Sequence, residues 1–182
     1  ISLIESLKKR PVRAGLVELV ELSDVVVEAA SQRAVPAIAR ASLVKGRRLM
    51  IMSVGALTDA ALFEEFARLA QAHGSQVFLP SGAISGVDGL KSASIGKIRR
   101  ITLTTTKNPR SLAGAPYIVE NKIDLGSLAG RQVIFEGSAL EAVRAFPANV
   151  NVAATLYLAA GGVDVRVKVA ADPAIDVNRH EI

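Results

Sequence analysis

Three strand-like runs recur within the first eighty positions, and helical patterns separate them. The runs lie at residues 25–27, 49–52 and 76–79, and a short helix is predicted over residues 16–22. The first run is continuously β-branched, which is typical of a strand covered on both faces. Strands that alternate with helices form parallel sheets, because each helix carries the chain back across the sheet. The first part of the chain is therefore predicted to be a parallel, Rossmann-type sheet.

Local signals set the limits of the two helices between these strands. Ser31 is a good N-cap for the first helix, and Gly46 is a suitable stop. Pro36 is compatible with this helix because it lies in the first turn, where it disrupts no intrahelical hydrogen bond. Thr58 is predicted to cap the second helix, which Gly74 ends.

The pattern changes after residue 80. Residues 100–104 and 163–169 alternate apolar and polar side chains, as expected of antiparallel strands with one dry and one solvated face. Between them, residues 138–141 form a capping box that predicts a short helix. Residues 149–162 predict another helix, which is unusually apolar.

This change from two-sided to one-sided burial predicts a domain boundary near residue 80. The expected fold class is α/β, with a partial Rossmann-type parallel sheet followed by an α+β domain whose sheet is mainly antiparallel. The two predicted domains are residues 1–80 and 81–182.

Small and polar residues follow each predicted parallel strand, at positions 28–31, 53–56 and 80–83. In open α/β sheets, ligands bind outside the carboxyl ends of the strands. Small residues would let a ligand approach the backbone N–H groups closely, although they serve equally well in tight turns. Three such loops in register favour a ligand crevice.

A dinucleotide-binding fold should also carry a G-x-G-x-x-G turn after its first strand. The chain has no such motif: Gly15 is isolated, and Gly82 and Gly86 do not have the required spacing. Either the protein does not use a dinucleotide or this sequence begins after the motif. The opening Ile1 in place of Met favours the second interpretation.

Composition excludes several classes of site and partner. The absence of cysteine excludes disulfides and thiolate sites, and two histidines cannot form a multi-histidine centre, so no metal is expected. The net charge of +5 comes from short basic clusters at element ends, which favours solvated helix ends over a nucleic-acid surface. The longest weakly polar run, residues 152–163, is shorter than the about 20 residues that cross a membrane. We expect a soluble, cytoplasmic protein with neither nucleic-acid nor membrane partners.

The sequence resembles the L-aspartate dehydrogenases, a family that uses NAD or NADP. The matching segments lie in the family's order over nearly the whole chain. They are residues 24–32, 52–57, 80–88, 107–109, 135–139, 146–155, 171–173 and 178–182. The resemblance implies that a first β-α-β unit with the Gly-rich turn, and a final strand and helix after His180, are missing from this sequence.

The resemblance further implies the reaction, which is oxidative deamination of L-aspartate to iminoaspartate with hydride transfer to NAD or NADP. In the family this product can supply NAD biosynthesis. Residues 1–80 would then be the remainder of the NAD(P)-binding domain. Residues 81–182 would form the substrate-binding, catalytic and dimerisation domain of a homodimer.

His180 is the expected catalytic residue. The substrate amine must be neutral before hydride leaves, so the reaction needs an acid/base group that titrates near neutral pH, as histidine does. His180 lies in a polar segment where no packing role is evident, and the family's catalytic histidine matches this position. His73 precedes Gly74 at a helix end, where a cation interacts favourably with the helix dipole, and is expected to be structural.

Cofactor contacts are expected from the resemblance and from the strand-end loops. The resemblance places a cofactor-binding asparagine at Asn149, with Asn151 as the alternative, and brings the backbone of Ala83 near the nicotinamide. The small residues of the loops add four cofactor-binding candidates, Ala30, Ser31, Ser53 and Gly55.

Aspartate carries two carboxylates, so its site needs cations or N–H donors. Lys107 is the expected cation, although a solvated loop lysine explains it equally well. Ser81 and Gly82 could supply donors at the boundary between the domains, and Asn151 is the remaining substrate-binding candidate.

Two other functions stay open. The first is a related two-domain NAD(P)-dependent reductase that acts on another dicarboxylate. A semialdehyde dehydrogenase is disfavoured because it needs a cysteine nucleophile. The second is a non-catalytic remnant of a nucleotide-binding protein, retained for oligomerisation.

Overall fold

The computed structural model describes residues 11–147 and 151–182. Seven helices and seven strands lie in these ranges, numbered here in chain order. The helices are α1 (Leu16–Glu21), α2 (Val35–Val44), α3 (Ala60–Ala72), α4 (Val87–Ser94), α5 (Pro116–Glu120), α6 (Ala139–Ala145) and α7 (Asn151–Ala159). The strands are β1 (Val25–Glu28), β2 (Arg48–Ile51), β3 (Val77–Phe78), β4 (Ile101–Lys107), β5 (Gln132–Ser138), β6 (Val165–Ala171) and β7 (Arg179–Glu181). Short 3-10 turns cover Val54–Thr58, Pro109–Ser111 and Leu125–Ser127.

Strands β1, β2 and β3 form a parallel sheet in that order, which confirms the predicted Rossmann-type arrangement. Helices α2 and α3 are the crossovers, and they pack against each other on one face of the sheet. The core beneath them contains Val26, Leu49 and Ile51, all nearly or fully buried. This face is dry because every second residue of β1 and β2 is buried on it, and all of these residues except Glu28 are apolar.

The opposite face of this sheet is exposed. Val27, Met50 and Phe78 form one row across the three strands, and Val27 and Phe78 keep 57% and 40% of their surface accessible. The prediction that β1 is covered on both faces is therefore wrong for the part of the chain that the structure describes. No element among residues 11–147 and 151–182 packs on this face, because both crossovers lie on the other one.

The second sheet has the strand order β5-β6-β4-β7. Strand β6 is antiparallel to β5 and β7 is antiparallel to β4, so the predicted, mainly antiparallel sheet is confirmed. The two alternating strands β4 and β6 nevertheless pair with each other in parallel, from Ile101 opposite Val165 to Lys107 opposite Ala171. The expectation that they run antiparallel is wrong in this respect. Alternation reports one-sided burial, and the long connection between the strands allows either direction.

Helices α6 and α7 cover the inner face of the second sheet. Phe146, which follows α6, is fully buried beside Tyr117 and Phe135, with ring centroids 5.6 and 5.4 Å away. Such aromatic clusters contribute both apolar burial and favourable edge contacts. The predicted capping box begins α6, since Ser138 Oγ accepts from the backbone N–H of Glu141 and the Glu141 carboxylate accepts from that of Ser138.

Two predicted N-caps are wrong, although the helices and their ends are confirmed. Helix α2 begins after Ala34 and not at Ser31, because the residues between them form a turn. Helix α3 is capped by Asp59, whose Oδ1 accepts from the backbone N–H groups of Ala61 and Leu62. The hydroxyl of Thr58 instead donates to the backbone carbonyl of Gly55, within the turn before α3.

The two sheets meet along helix α7. Leu158 of α7 packs against the cores of both sheets, and Val54, which follows β2, belongs to the core of the second sheet. Helix α7 also contacts the Val54–Thr58 turn directly. The division of the chain into two domains at residue 80 stays a prediction, because side chains from both sides of this residue pack together in the core.

Candidate functional site

Glu28 organises the carboxyl ends of β1 and β2. The side chain is buried, with 1% of its surface exposed, and its carboxylate accepts four hydrogen bonds. Oε1 accepts from the backbone N–H groups of Ala30 and Ser31 at 2.8 and 3.0 Å, and from the Ser53 hydroxyl at 2.9 Å. Oε2 accepts from the backbone N–H of Ser53 at 3.0 Å. One carboxylate therefore joins the loops that follow two neighbouring strands.

The structure brings the four small cofactor candidates together at this edge, but it corrects the way they were expected to act. The backbone N–H groups of Ala30, Ser31 and Ser53 donate to Glu28, and that of Gly55 donates to Asn151 Oδ1 at 3.2 Å. The expectation that these loops offer backbone N–H groups to a ligand is therefore wrong for these four residues. A buried carboxylate needs several donors, and the nearest ones are the N–H groups of its own loops.

Asn151 joins the second sheet's helix α7 to this edge. Its Oδ1 accepts from Gly55, and its Nδ2 donates to the backbone carbonyl of Met52 at 3.2 Å. A second link is the hydrogen bond from Gln32 Nε2 to the carbonyl of Pro147, at 2.7 Å. Asn151 thus ties α7 to the loop after β2, a role that sequence reasoning missed. Asn149, the other predicted asparagine, lies outside the described residues.

His180 lies on β7, directly opposite Thr105 of β4. The Oγ1 atom of Thr105 is 3.1 Å from His180 Nδ1, which is hydrogen-bonding distance. The imidazole is partly buried, and this burial lowers its pKa below the ordinary value of histidine. The positive charge of Lys107 lowers the pKa of His180 further. His180 is consequently disposed to be neutral, as a proton acceptor must be.

Lys107 ends β4, two residues after Thr105, so both side chains project from the same face of the strand. It is 8% exposed, and burial lowers its pKa. Thr105, Lys107, Phe146 and Ala153 line a narrow gap between the sheet and α7. A partly desolvated ammonium beside a neutral imidazole can bind a carboxylate and leave a proton acceptor close to it.

Three predicted residues lie in a different place. Ser81, Gly82 and Ala83 are exposed in the loop after β3, and Ser81 lines a cavity of about 490 Å³ together with Ile84 and Thr155. Neither His180 nor Lys107 lines this cavity. The structure therefore places His180 and Lys107 together, and it does not bring the predicted donors Ser81 and Gly82 into contact with them.

Sequence reasoning missed two residues that shape this region, Glu28 and Thr105. A carboxylate that ends an otherwise apolar buried strand is a signal for Glu28, because such a group must find hydrogen-bond donors. Thr105 gives no comparable signal, since threonine is common in strands. Within the described ranges, no cluster of three metal-binding side chains occurs, and no helix is long and apolar enough to cross a bilayer.

Two family models match the chain. The model described as "Aspartate dehydrogenase, C-terminal" matches residues 88–182, and the model described as "Homoserine dehydrogenase, NAD binding domain" matches residues 4–80. Together they cover almost all of the sequence, and they meet close to residue 80.

Several similar proteins are named as aspartate dehydrogenases. The L-aspartate dehydrogenases of Methanococcoides burtonii and Methanocella arvoryzae are each 50% identical to this chain over its whole length, which corresponds to 68% and 67% of theirs. That of Nitrosopumilus maritimus is 42% identical, again over the whole chain and 67% of its own length. The crystal structure of aspartate dehydrogenase from Thermotoga maritima superposes with a TM-score of 0.72 at 35% identity, over 96% of this chain and 66% of that one. The chain spans about two thirds of the length of these proteins.

Proposed function

The chain belongs to the L-aspartate dehydrogenase family, and from this premise we propose that it oxidises L-aspartate to iminoaspartate with NAD or NADP. The reaction breaks the Cα–H bond of the substrate. The ammonium group of the substrate first gives up a proton, and the hydride then passes to the nicotinamide ring as the C=N bond forms. The cofactor supplies the hydride acceptor, so the protein has to position the two reactants and accept one proton.

The observation that carries the proposal is the group formed by His180, Thr105 and Lys107. Thr105 holds His180 through Nδ1, which leaves Nε2 as the nitrogen that exchanges a proton with the substrate amine. The lowered pKa of His180 favours the neutral imidazole, so it acts as the base. Lys107 binds a substrate carboxylate, because a partly buried cation attracts an anion more strongly than a solvated one does.

The edge formed by the loops after β1 and β2 fits a nicotinamide cofactor. Ala30 and Ser31 are small and exposed there, so they leave room for a flat ligand at the carboxyl end of the sheet. Ala83 and Asn149 stay cofactor-binding proposals that rest on the family resemblance. The first sheet then binds the cofactor and the second sheet binds the substrate, with residue 80 close to the division.

The test is an assay of cofactor reduction by the complete protein, monitored through the absorbance of the reduced nicotinamide. We expect turnover with L-aspartate and none with D-aspartate. Reduction with L-malate but not L-aspartate would instead support a related enzyme of another dicarboxylate. No turnover with either substrate, despite measurable cofactor binding, would support a non-catalytic remnant.

One further proposal rests on the family resemblance, and a second rests on the sequence. We propose that the chain forms a homodimer, and sedimentation velocity should show one species of twice the 19.1 kDa chain mass. A single species at the chain mass would contradict this proposal. We also propose a cytoplasmic location, as expected from the sequence.

A further inference from the structure

We propose that Glu28 is a positioning residue, which holds the loops after β1 and β2 in the arrangement that binds the cofactor. This inference rests on the proposed function. Glu28 is not itself a catalytic residue, because its carboxylate is buried beneath the loops. Its contribution is to fix Ala30, Ser31 and Ser53 relative to one another.

The hydrogen bonds of Glu28 divide between the two loops. Its Oε1 accepts from the backbone N–H groups of Ala30 and Ser31 in the loop after β1 and from the Ser53 hydroxyl in the loop after β2. Its Oε2 accepts from the backbone N–H of Ser53. All four partners are donors, and an ionised carboxylate is the side chain that only accepts. Neighbouring parallel strands diverge into separate loops at their ends, so a bond from one side chain to both loops fixes the distance between them.

The charge of Glu28 is balanced by these donors. Among the described ion pairs none involves Glu28, whereas Glu136 on the outer face of the second sheet pairs with Arg166 and Lys168. A buried carboxylate without a salt-bridge partner depends on its hydrogen-bond donors for stabilisation. The two loops are therefore drawn around Glu28, with their N–H groups turned inward and away from the ligand side.

This arrangement has a consequence for ligand recognition. A loop whose N–H groups are already bonded does not attract a phosphate as a free helix N-terminus does. The edge at Ala30, Ser31 and Ser53 therefore suits an uncharged part of a dinucleotide, such as a ribose or a carboxamide.

Glu28→Gln tests the role of the carboxylate with almost no change in shape. A glutamine keeps one acceptor oxygen, and the new NH₂ group faces an N–H donor whichever way the amide turns. We expect faster hydrogen exchange at the Ser53 or the Ala30 and Ser31 amides, measured by NMR. We also expect a KM for NAD or NADP about tenfold higher, with kcat and the KM for aspartate little changed.

The control is Glu65→Gln, the same substitution at a surface ion pair with Arg40 on the same sheet unit. It should leave the exchange rates and the KM for the cofactor at their wild-type values. Ser53→Ala removes one donor and keeps the backbone bond, so a smaller increase in both quantities is expected. If Glu28→Gln does not fold, the exchange rates and the cofactor KM of Ser53→Ala test the proposal in its place.

Unchanged exchange at all three amides, or a loss of kcat with an unchanged KM for the cofactor, would overturn the proposal. The second result would mean that Glu28 only maintains the amount of folded protein. If the complete protein does not reduce the cofactor at all, the dehydrogenase proposal fails. The exchange rates of the variants still decide whether Glu28 joins the loops.

Discussion

Thr105 and His180 face each other across the antiparallel pair of β4 and β7, with Oγ1 of Thr105 3.1 Å from Nδ1 of His180. Directly opposed residues of an antiparallel pair project to the same face of the sheet. The pairing of the strands therefore fixes the position of the histidine backbone, and the threonine hydroxyl fixes its ring.

Thr105→Val should lower kcat about tenfold, because valine keeps the shape of threonine but cannot hold Nδ1 of His180. Thr105→Ser should restore most of the activity, since it keeps the hydroxyl. Thr104→Val, on the opposite face of the same strand, is the matched control and should leave kcat unchanged. Steady-state kinetics measures kcat for all three variants. Equal changes in kcat for the two valine substitutions would contradict a role for the Thr105 hydroxyl.

Removing the charge of Lys107 should raise the pKa of His180. Burial is the larger cause of its lowered pKa and the Lys107 charge is the smaller one, so Lys107→Met should move the pKa toward the ordinary value without reaching it. The imidazole would then protonate at a higher pH, and the acid limb of the kcat profile should shift upward. NMR titration of the imidazole measures the change directly.

The matched control for this experiment is Lys91→Met, since Lys91 is exposed on α4 and lines the separate cavity near Ser81. It should leave the His180 titration unchanged. A His180 pKa that stays constant or falls in Lys107→Met would show that the lysine charge does not act on the imidazole.

His180→Ala should lower kcat by about 10²- to 10⁴-fold, the usual contribution of a general acid or base. The dissociation constant of the cofactor should change little, because the proposed cofactor edge belongs to the first sheet. The other histidine of the chain provides the control. His73 is exposed at the end of α3, and His73→Ala should retain full activity. If His180→Ala kept the wild-type kcat, His180 would have no part in the mechanism.

Phe146→Ala should lower the free energy of unfolding by about 3–5 kcal/mol, because it leaves a cavity among rings that pack on one another. Phe63 is the control, since 46% of its surface is already exposed. Phe63→Ala should cost about 1 kcal/mol or less. Urea denaturation followed by circular dichroism measures both values, and similar losses would contradict the assignment of Phe146 to the core.

Much of the fold could be predicted because its signals are local. The apolar runs, the turn glycines at Gly46 and Gly74 and the Ser138 capping box each depend on neighbouring residues alone. The relative direction of β4 and β6 could not be predicted, since alternation reports which face is buried and not which way a neighbour runs. The exposed face of β1 is equally a property of the packing and not of the strand's own sequence.

The candidate site was predictable only in part, and for a physical reason. His180 and Lys107 are residue types that carry acid/base chemistry and charge, so they draw attention in a sequence. Thr105 and Glu28 act through their positions, which depend on strand register and on burial. The N–H groups of these loops point inward because they bond to Glu28. The sequence could therefore suggest that the loops after β1 and β2 lie at a ligand site, but not that their N–H groups are already bonded.

The pairing order β5-β6-β4-β7 has a consequence for how the protein folds during synthesis. Strand β6, one of the two central strands, is the partner of both β4 and β5, and these two are not paired with each other. Strands β4 and β5 therefore have no backbone partner until β6 has been translated. Because β6 follows α6 and α7 in the chain, both covering helices are synthesised before it. Contacts between such distant segments slow folding, so premature release or slow translation ahead of β6 would expose two unpaired strands to aggregation or to a chaperone.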